Sequence, residues 1–254
     1  MLTGKNTLLA LITGSTSGIG LSLTRQLLAG GRRVIGLARR PAVVEDPAYT
    51  HVQMDLADTA ALATWLQDEL PGLAPAEAAR VELYNNAGHV DPVGRLDQVE
   101  WGALTRAVDL GMLAPLLMMR AALALPAREG RVLTHISSGA ADKPYGGWGA
   151  YCMTRAGLRM ASRVLAVDLA GIPAPAGAGP AARIICYNPG PVDTPLQTRV
   201  RGLSPERFPG VDRFIRLHGD GMLPPADAVA RHILASVVDP DLPEWSEIRF
   251  DGKF

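Results

Sequence analysis

The chain is poor in lysine, cysteine and aromatic residues, and these scarcities exclude several classes of protein. Only three of its 25 cationic side chains are lysine, and the 25 cations balance 25 acidic side chains to a formal net charge of zero. A neutral chain presents no basic field to a nucleic acid or an anionic membrane, so we expect neither as a partner. Two cysteines without a CxxC pair, and five histidines without metal-ligand spacing, predict no metal site and reduced thiols in a cytoplasmic protein.

Long hydrophobic runs are also missing from the chain. The longest, at residues 110–119, contains Pro115 and ends before Arg120, which makes it too short to span a bilayer. The N-terminal sequence MLTGKNTLLALITG leads directly into a glycine-rich turn and has no small-residue cleavage site, so we expect no signal peptide. Both observations favour the cytoplasm.

Apolar segments of strand character alternate with amphipathic segments of helical character along the chain. We predict strands at residues 7–13, 33–38, 51–54, 81–85, 131–137, 183–187 and 247–250, and helices at 19–29, 59–70, 96–125, 150–169 and 226–238. This order is typical of an α/β fold of Rossmann type, a doubly wound parallel sheet of about seven strands with helices on both faces. Since no linker or shift in composition divides the chain, we expect residues 1–254 to form a single domain.

Two segments interrupt this alternation. Residues 171–182, GIPAPAGAGPAA, predict a surface insertion without chemistry. Residues 190–225 are too long for a passive connection and have only a weak helical pattern, which indicates either a functional loop or disorder.

A glycine-rich turn, TGSTSGIG at residues 13–20, follows the first predicted strand and opens the first predicted helix. Gly14, Gly18 and Gly20 permit a tight turn and a close approach of the backbone to a pyrophosphate. The helix N-terminus adds free N–H groups and a positive dipole end. Because the turn lies between a strand and a helix, we predict a dinucleotide-binding site rather than a structural loop.

The second predicted strand ends at Ala38 and is followed by Arg39 and Arg40. An acidic residue at this point would bind the ribose 2′-hydroxyl of NAD, whereas two guanidinium groups suit a 2′-phosphate, so we predict NADP rather than NAD. Asp55, after the third strand, is a candidate for the adenine amino group. Asn85, at the end of the fourth strand, is a candidate to border the ribose.

A candidate catalytic group follows the fifth predicted strand. Ser138 lies just after this strand, and Tyr151 comes thirteen residues later, four residues before Arg155. Residues four apart share one face of a helix, so we expect the phenol to lie beside the guanidinium. A neighbouring cation stabilises the phenolate, which makes such a tyrosine a proton donor suited to general acid catalysis.

Five motifs occur in order: TGSTSGIG, NNAG at residues 85–88, ISS at 136–138, the tyrosine helix, and NPGPVDT at 188–194. In this order and spacing the chain resembles the short-chain dehydrogenase/reductase family from about residue 5 to 250. The segment at residues 136–152, with the helix that follows, is most similar to sepiapterin reductases and to bacterial relatives that reduce aromatic diketones.

The resemblance implies a carbonyl reductase that uses NADPH on a small ketone or dicarbonyl, aromatic or pterin-like. Tyr151 would protonate the carbonyl oxygen, Ser138 would hold it, and residues 190–225 would cover the substrate. The position that matches the pterin-binding aspartate of sepiapterin reductases is Arg249 here, which disfavours sepiapterin itself. The implied cofactor-binding residues are Gly14, Ser15, Ser17, Gly18, Ile19, Gly20, Arg39, Arg40, Asp55, Asn85, Ala87, Gly88, Tyr151, Arg155, Pro189, Gly190, Val192 and Thr194. Residues 96–125 and 150–169 would form the four-helix interface of a homodimer or homotetramer.

The chain departs from the family pattern at two positions. Arg155 replaces the lysine that follows the tyrosine, and Gly111 occupies the position of the family's catalytic asparagine, or Asp109 in a rival alignment. Arginine keeps the charge of lysine but does not release its proton. These changes leave open a second function, an NADP-binding sensor or scaffold protein with little or no turnover. They also leave open a third arrangement, in which an Asp109–Arg155 ion pair substitutes for the usual relay. Restored turnover in the Arg155→Lys, Gly111→Asn double variant would separate the first two.

Overall fold

Seven parallel strands form one sheet at the centre of the protein, in a computed structural model that describes residues 7–170, 172 and 182–252. In chain order they are β1 (Leu8–Thr13), β2 (Arg33–Ala38), β3 (Tyr49–Gln53), β4 (Arg80–Asn85), β5 (Arg131–Ile136), β6 (Arg183–Asn188) and β7 (Trp245–Arg249). Across the sheet the order is β3-β2-β1-β4-β5-β6-β7. The chain direction across the sheet reverses between β1 and β4, and ligands bind at such switch points in doubly wound sheets. The predicted α/β fold is confirmed.

Helices cover both faces of this sheet. They are α1 (Gly18–Ala29), α2 (Thr59–Asp68), α3 (Leu70–Leu73), α4 (Trp101–Val108), α5 (Ala114–Ala124), α6 (Gly149–Ala170), α7 (Pro195–Arg201), α8 (Val211–Gly219) and α9 (Ala226–Val238). On one face α1 and α9 bury Leu23 and Ile233 against the sheet. On the other face α2, α5 and α6 bury Leu62, Met118 and Leu158.

The predicted helix at residues 96–125 is wrong as a continuous element. A 3₁₀ turn at Leu96–Gln98 precedes α4, and a π-helical turn at Asp109–Leu113 separates α4 from α5. Pro115 has no N–H group and therefore cannot donate the regular bond to the carbonyl of Gly111, which disrupts the α-helix just before it. The other predicted elements are present with shifted ends: β3 and β7 begin two residues earlier than predicted, and α2 ends at Asp68.

The segment Trp101–Ala124 is the one stretch of the described residues that is long and apolar enough to cross a membrane. Its buried residues Ala114, Met118 and Ala122 pack in the core beside the sheet. Core helices of globular proteins meet the same criterion of length and composition.

Residues 190–225 are ordered and contain α7 and α8. Their apolar side chains, among them Val200, Phe208 and Phe214, form a buried cluster with Trp148. The ring of Trp148 stacks on that of Phe208 with centroids 4.2 Å apart. The segment is therefore packed against the body of the protein rather than extended into solvent. The predicted insertion at residues 171–182 lies almost entirely outside the described residues.

Candidate functional site

A cavity of about 630 Å³ lies along the carboxyl ends of the strands. It brings together most of the residues that the sequence predicts for a cofactor and catalytic site. Those that line it are Gly14, Ser17, Gly18, Ile19, Arg39, Arg40, Asp55, Ala87, Gly88, Ser138, Tyr151, Arg155, Pro189, Gly190, Val192 and Thr194. Ser15, Gly20, Asn85 and Gly111 do not line it, for reasons that differ from one residue to the next.

The turn between β1 and α1 needs its glycines. Gly14 and Gly18 have φ angles of +73° and +53°, in the left-handed region that other residues rarely adopt. A Cβ on Gly20 would lie 2.1 Å from the carbonyl oxygen of Gly14, so Gly20 allows α1 to approach β1 rather than contacting a ligand itself. The N-cap residue Ser17 makes no side-chain cap, which leaves the first N–H groups of α1 directed at the cavity. This cradle fits a dinucleotide pyrophosphate.

Asn86 holds the glycine turn against β4, a role that the sequence reasoning did not assign. Its side-chain amide donates to the carbonyl oxygens of Thr13 at 3.0 Å and Gly14 at 3.4 Å. In return the Thr13 hydroxyl accepts from the backbone N–H groups of Asn86 and Ala87, both at 3.0 Å. The signal was present in the NNAG motif, whose second asparagine lies just beyond the strand.

The sequence predicts Asn85 and Ser15 at the cofactor, whereas the structure bonds both side chains to the protein interior. Asn85 is buried and donates to the carbonyl oxygen of Pro115 at 3.0 Å, because it belongs to the strand face that meets α5. The hydroxyl of Ser15 is also buried and accepts from the Tyr49 hydroxyl at 2.9 Å. The side chains of these two residues are therefore bonded within the protein, and neither residue lines the cavity.

The end of the cavity near β2 and β3 is cationic. Arg39 and Arg40 are exposed and line it, and Arg40 donates to the Thr16 hydroxyl at 3.3 Å. Asp55 also lies here and forms an ion pair with Arg106. Partial burial is the largest single influence and raises the pKa of Asp55, but the hydrogen bond and charge of Arg106, the backbone N–H of Ala57 and the charge of Arg39 together outweigh it and leave the pKa below its ordinary value. Asp55 is therefore a carboxylate throughout the neutral range.

Ser138 and Tyr151 line the other end of the cavity, near the ends of β5 and β6. The Ser138 hydroxyl oxygen accepts from the backbone N–H of Ala140 at 3.2 Å, which leaves its hydrogen for an acceptor in the cavity. Tyr151 lies in the first turn of α6 and packs its ring edge-on against Trp148, with centroids 5.4 Å apart. A hydroxyl donor and a phenol thus face one space, an arrangement that can hold and protonate an oxygen atom.

Arg155 is buried with 5% of its surface exposed, beside Tyr151. Its guanidinium carbon lies 5.0 Å from the Tyr151 ring centroid, and its Nη1 donates to the carbonyl oxygen of Ile136 at 3.3 Å. A Cβ on Gly88 would lie only 2.0 Å from Nη2. Because residue 88 is glycine, the guanidinium of Arg155 fits beside it.

Gly111, which the sequence places at the position of the family's catalytic asparagine, does not line the cavity. It lies in the π-helical turn, where a Cβ would be 2.9 Å from both Cβ and Oγ1 of Thr154 on α6. An asparagine side chain at this point would have to displace Thr154. Among the described residues, no ion pair joins Asp109 to Arg155 either. The third arrangement is therefore not formed.

Buried polar atoms collect beneath Arg155. His135 on β5 is opposite Asn85 on β4 in the sheet register, and both are buried. Within the described part of the chain, both ring nitrogens of His135, Oδ1 of Asn85 and Nε of Arg155 have no hydrogen-bond partner. Burial, with a smaller contribution from the charge of Arg155, lowers the pKa of His135 to about 3. His135 is therefore neutral at physiological pH.

Three cations line the catalytic end of the cavity: Lys143 and Arg213, which the sequence reasoning missed, and Arg249, which it placed at the substrate end only through the family resemblance. They come from the turn after Ser138, from α8 and from the end of β7. Such widely separated segments carry no joint motif, so only the fold brings them together.

The family model for short chain dehydrogenases matches residues 8–202. A benzil reductase that forms (S)-benzoin, from Bacillus cereus, is 30% identical over 95% of this chain and 98% of that protein. The sepiapterin reductase of Bos taurus is 30% identical over 77% of each chain. A solved short-chain dehydrogenase/reductase from Burkholderia vietnamiensis is 35% identical with a TM-score of 0.62, over 72% of this chain and 84% of that one. These likenesses confirm the resemblance predicted from the motifs, and the chain belongs to the short-chain dehydrogenase family of nicotinamide-dependent oxidoreductases.

Proposed function

We propose that this protein is an NADPH-dependent carbonyl reductase in which Tyr151 is the general acid. The observation that carries the proposal is the single cavity that joins Ser138 and Tyr151 to the glycine turn and to Arg39 and Arg40. A dinucleotide bound along this cavity would reach from the adenine end at β2 to the catalytic end at β5.

Ser138 and Tyr151 act on the carbonyl oxygen in different ways. Ser138 donates a hydrogen bond that holds the oxygen, and Tyr151 donates the proton that converts it to a hydroxyl. The nicotinamide supplies the hydride when bound. Arg155 remains charged throughout, so it stabilises the phenolate that Tyr151 becomes but does not itself pass on a proton. The proton that restores Tyr151 must therefore come from another donor, and we expect slower turnover than a lysine would support.

The preference for NADP rests on Arg39 and Arg40 at the end of β2, where two guanidinium groups suit a 2′-phosphate. The other cofactor contacts that we propose are Asp55 with the adenine, and Thr194 with the nicotinamide amide. Gly190, with a φ of +66°, shapes the turn between β6 and that threonine.

The substrate that we propose is a small ketone or dicarbonyl with an aromatic body, in line with the benzil reductase among the relatives. The cavity wall beside Tyr151 is aromatic, with Tyr145, Trp148 and Phe214 lining it. The packed segment at residues 190–225 supplies Phe214 and would cover the substrate within a single domain of residues 1–254.

The deciding experiment measures NADPH oxidation with benzil and related diketones, in wild type and Tyr151→Phe. Removing the proton donor should lower kcat by about 10²–10⁴-fold without weakening NADPH binding. Tyr187→Phe is the matched control, because its hydroxyl contacts His232 and does not line the cavity. Unchanged turnover in Tyr151→Phe would refute the mechanism. Tight NADPH binding with no turnover in wild type, unrescued by Arg155→Lys, would instead establish the sensor or scaffold role.

We also propose a homodimer or homotetramer in the cytoplasm, formed through α5 and α6. Met160 and Val164 are exposed on α6, beside a groove of about 690 Å³ that Leu116 and Leu123 of α5 also line. Val164→Glu should dissociate the assembly in sedimentation, whereas Val43→Glu, at an equally exposed valine, should not. An unchanged sedimentation coefficient in Val164→Glu would contradict this interface.

The cytoplasmic location that we propose is supported by the free cysteines Cys152 and Cys186, which accord with a reducing compartment.

A further inference from the structure

The two ends of the cavity each carry positive charge, and the two sets of cations are far apart in the sheet. Arg39 and Arg40 follow β2, whereas Arg249 ends β7, and β1, β4, β5 and β6 lie between these strands. Lys143 and Arg213 line the cavity on the Arg249 side, near Ser138 and Tyr151. A 2′-phosphate at Arg39 and Arg40 therefore leaves the charges of the second set unused.

The cations at the catalytic end are not neutralised by the described side chains. None of Lys143, Arg213 and Arg249 forms an ion pair in the described part of the chain. The guanidinium of Arg213 meets neutral groups: it donates to the Tyr145 hydroxyl at 3.4 Å and lies 6.0 Å from the Phe214 ring centroid.

The one carboxylate that lines this end, Asp142, already has a cation of its own. It pairs with Arg159, which also binds Glu247. Arg159 does not line the cavity, and its single charge balances one of these two carboxylates, so the group keeps one negative charge against the three positive charges of Lys143, Arg213 and Arg249. The cavity next to the catalytic pair therefore keeps a net positive charge, which attracts anions and raises their local concentration.

From this charge we propose that the natural substrate carries a carboxylate as well as its reducible carbonyl, as an aromatic 2-oxo acid does. The aromatic wall of Tyr145, Trp148 and Phe214 takes the ring, Ser138 and Tyr151 take the ketone oxygen, and the three cations take the carboxylate. This inference rests on the proposed reductase function. In the reaction a hydride adds to the ketone carbon, the oxygen takes the proton of Tyr151, and a 2-hydroxy acid and oxidised cofactor result.

The test compares benzoylformate with its methyl ester, which differ only in the negative charge of the acid. Because a carboxylate makes the neighbouring ketone less electrophilic than an ester does, the diagnostic quantity is how the acid-to-ester ratio of kcat/KM changes on mutation. Arg249→Gln should lower kcat/KM for the acid about two- to fivefold, chiefly through KM, and leave the ester unchanged. The triple variant Lys143→Gln, Arg213→Gln, Arg249→Gln should lower it about tenfold, and added salt should reduce the wild-type preference.

Arg216→Gln is the matched control, since this arginine is exposed on α8 but does not line the cavity. It should leave the ratio unchanged. A ratio that is the same in wild type and triple variant, or an equal loss for both substrates, would overturn the anionic substrate while the reductase function stands.

Equilibrium binding of benzoylformate to the NADP⁺-loaded protein, measured by calorimetry, tests the anion site without turnover. The triple variant should bind the acid about tenfold more weakly, whereas equal binding in wild type and triple variant would overturn the proposal. If wild type binds the acid in this way and yet oxidises no NADPH with either compound or with the diketones, the reductase function fails and the anion site remains.

Discussion

The glycine turn after β1 and the buried pocket beneath Tyr151, where Gly88, Gly111, His135, Thr154 and Arg155 pack, both adjoin one cavity, yet they are built from different kinds of contact. In the turn, backbone atoms touch backbone atoms: Gly14 adopts a positive φ, and Gly20 lies against the Gly14 carbonyl. Beneath Tyr151, side chains from separate elements meet, with Arg155 against Gly88 and Gly111 against Thr154. Where backbone touches backbone, only glycine fits. Where two side chains touch, a substitution of one can be accommodated by a substitution of the other. The turn accordingly keeps the family pattern, and the pocket departs from it.

Gly20→Ala tests the rigidity of the turn and should have the largest effect. The added Cβ would lie 2.1 Å from a backbone oxygen, so the turn itself must move. We expect a loss of about 3 kcal/mol in the free energy of unfolding and at least a tenfold loss in NADPH affinity, measured by urea denaturation and fluorescence titration. Gly102→Ala, on α4 with open space around it, is the control and should not destabilise the protein. Normal NADPH binding by Gly20→Ala would remove the contrast between the two regions.

Gly111→Asn tests whether the pocket accepts the residue of the family pattern. The new side chain meets Thr154, so we expect a loss of about 2 kcal/mol in unfolding free energy and no gain in turnover when it is combined with Arg155→Lys. The matched control is Gly102→Asn, the same change at an exposed glycine of the neighbouring helix. Restored turnover in the double variant would show that the pocket differs from a family catalytic site only at residues 111 and 155.

The pH dependence of stability sharpens the comparison, because His135 belongs to the pocket. Its pKa is about 3 in the folded protein and near the ordinary 6.5 in the unfolded chain. Between these values the unfolded chain binds a proton that the folded protein excludes, so stability falls as the pH drops below 6.5. Between pH 7 and pH 5 this linkage amounts to about 2 kcal/mol.

The measurement is urea unfolding at both pH values in wild type and His135→Phe. The variant should lose about 2 kcal/mol less than wild type on acidification. His218→Gln, which removes an exposed histidine of α8, should behave as wild type does. The same acid sensitivity in His135→Phe and wild type would show that the buried imidazole does not resist protonation.

The same distinction explains which features could be predicted from sequence. Strand and helix alternation and the glycine turn are local patterns, and both were predicted. Asn85 and Asn86 are identical neighbours, and only the direction of each side chain at the strand end decides which one faces the cavity. The cations at the catalytic end come from segments more than 30 residues apart, so no local pattern joins them. The break in the helix at residues 96–125 was not predicted, because the apolar pattern continues through Pro115 and the effect of this proline on the helix was not considered.

The close contact between Gly88 and Arg155 constrains the order in which mutations can accumulate. With arginine present, any side chain at residue 88 drives a buried guanidinium from its site. Once Arg155 has become lysine, whose slender amine needs less space, a side chain at residue 88 meets less resistance. A protein that evolves from this chain can therefore acquire Arg155→Lys first and Gly88→Ala second. In the reverse order, the intermediate that carries Gly88→Ala with Arg155 is impaired.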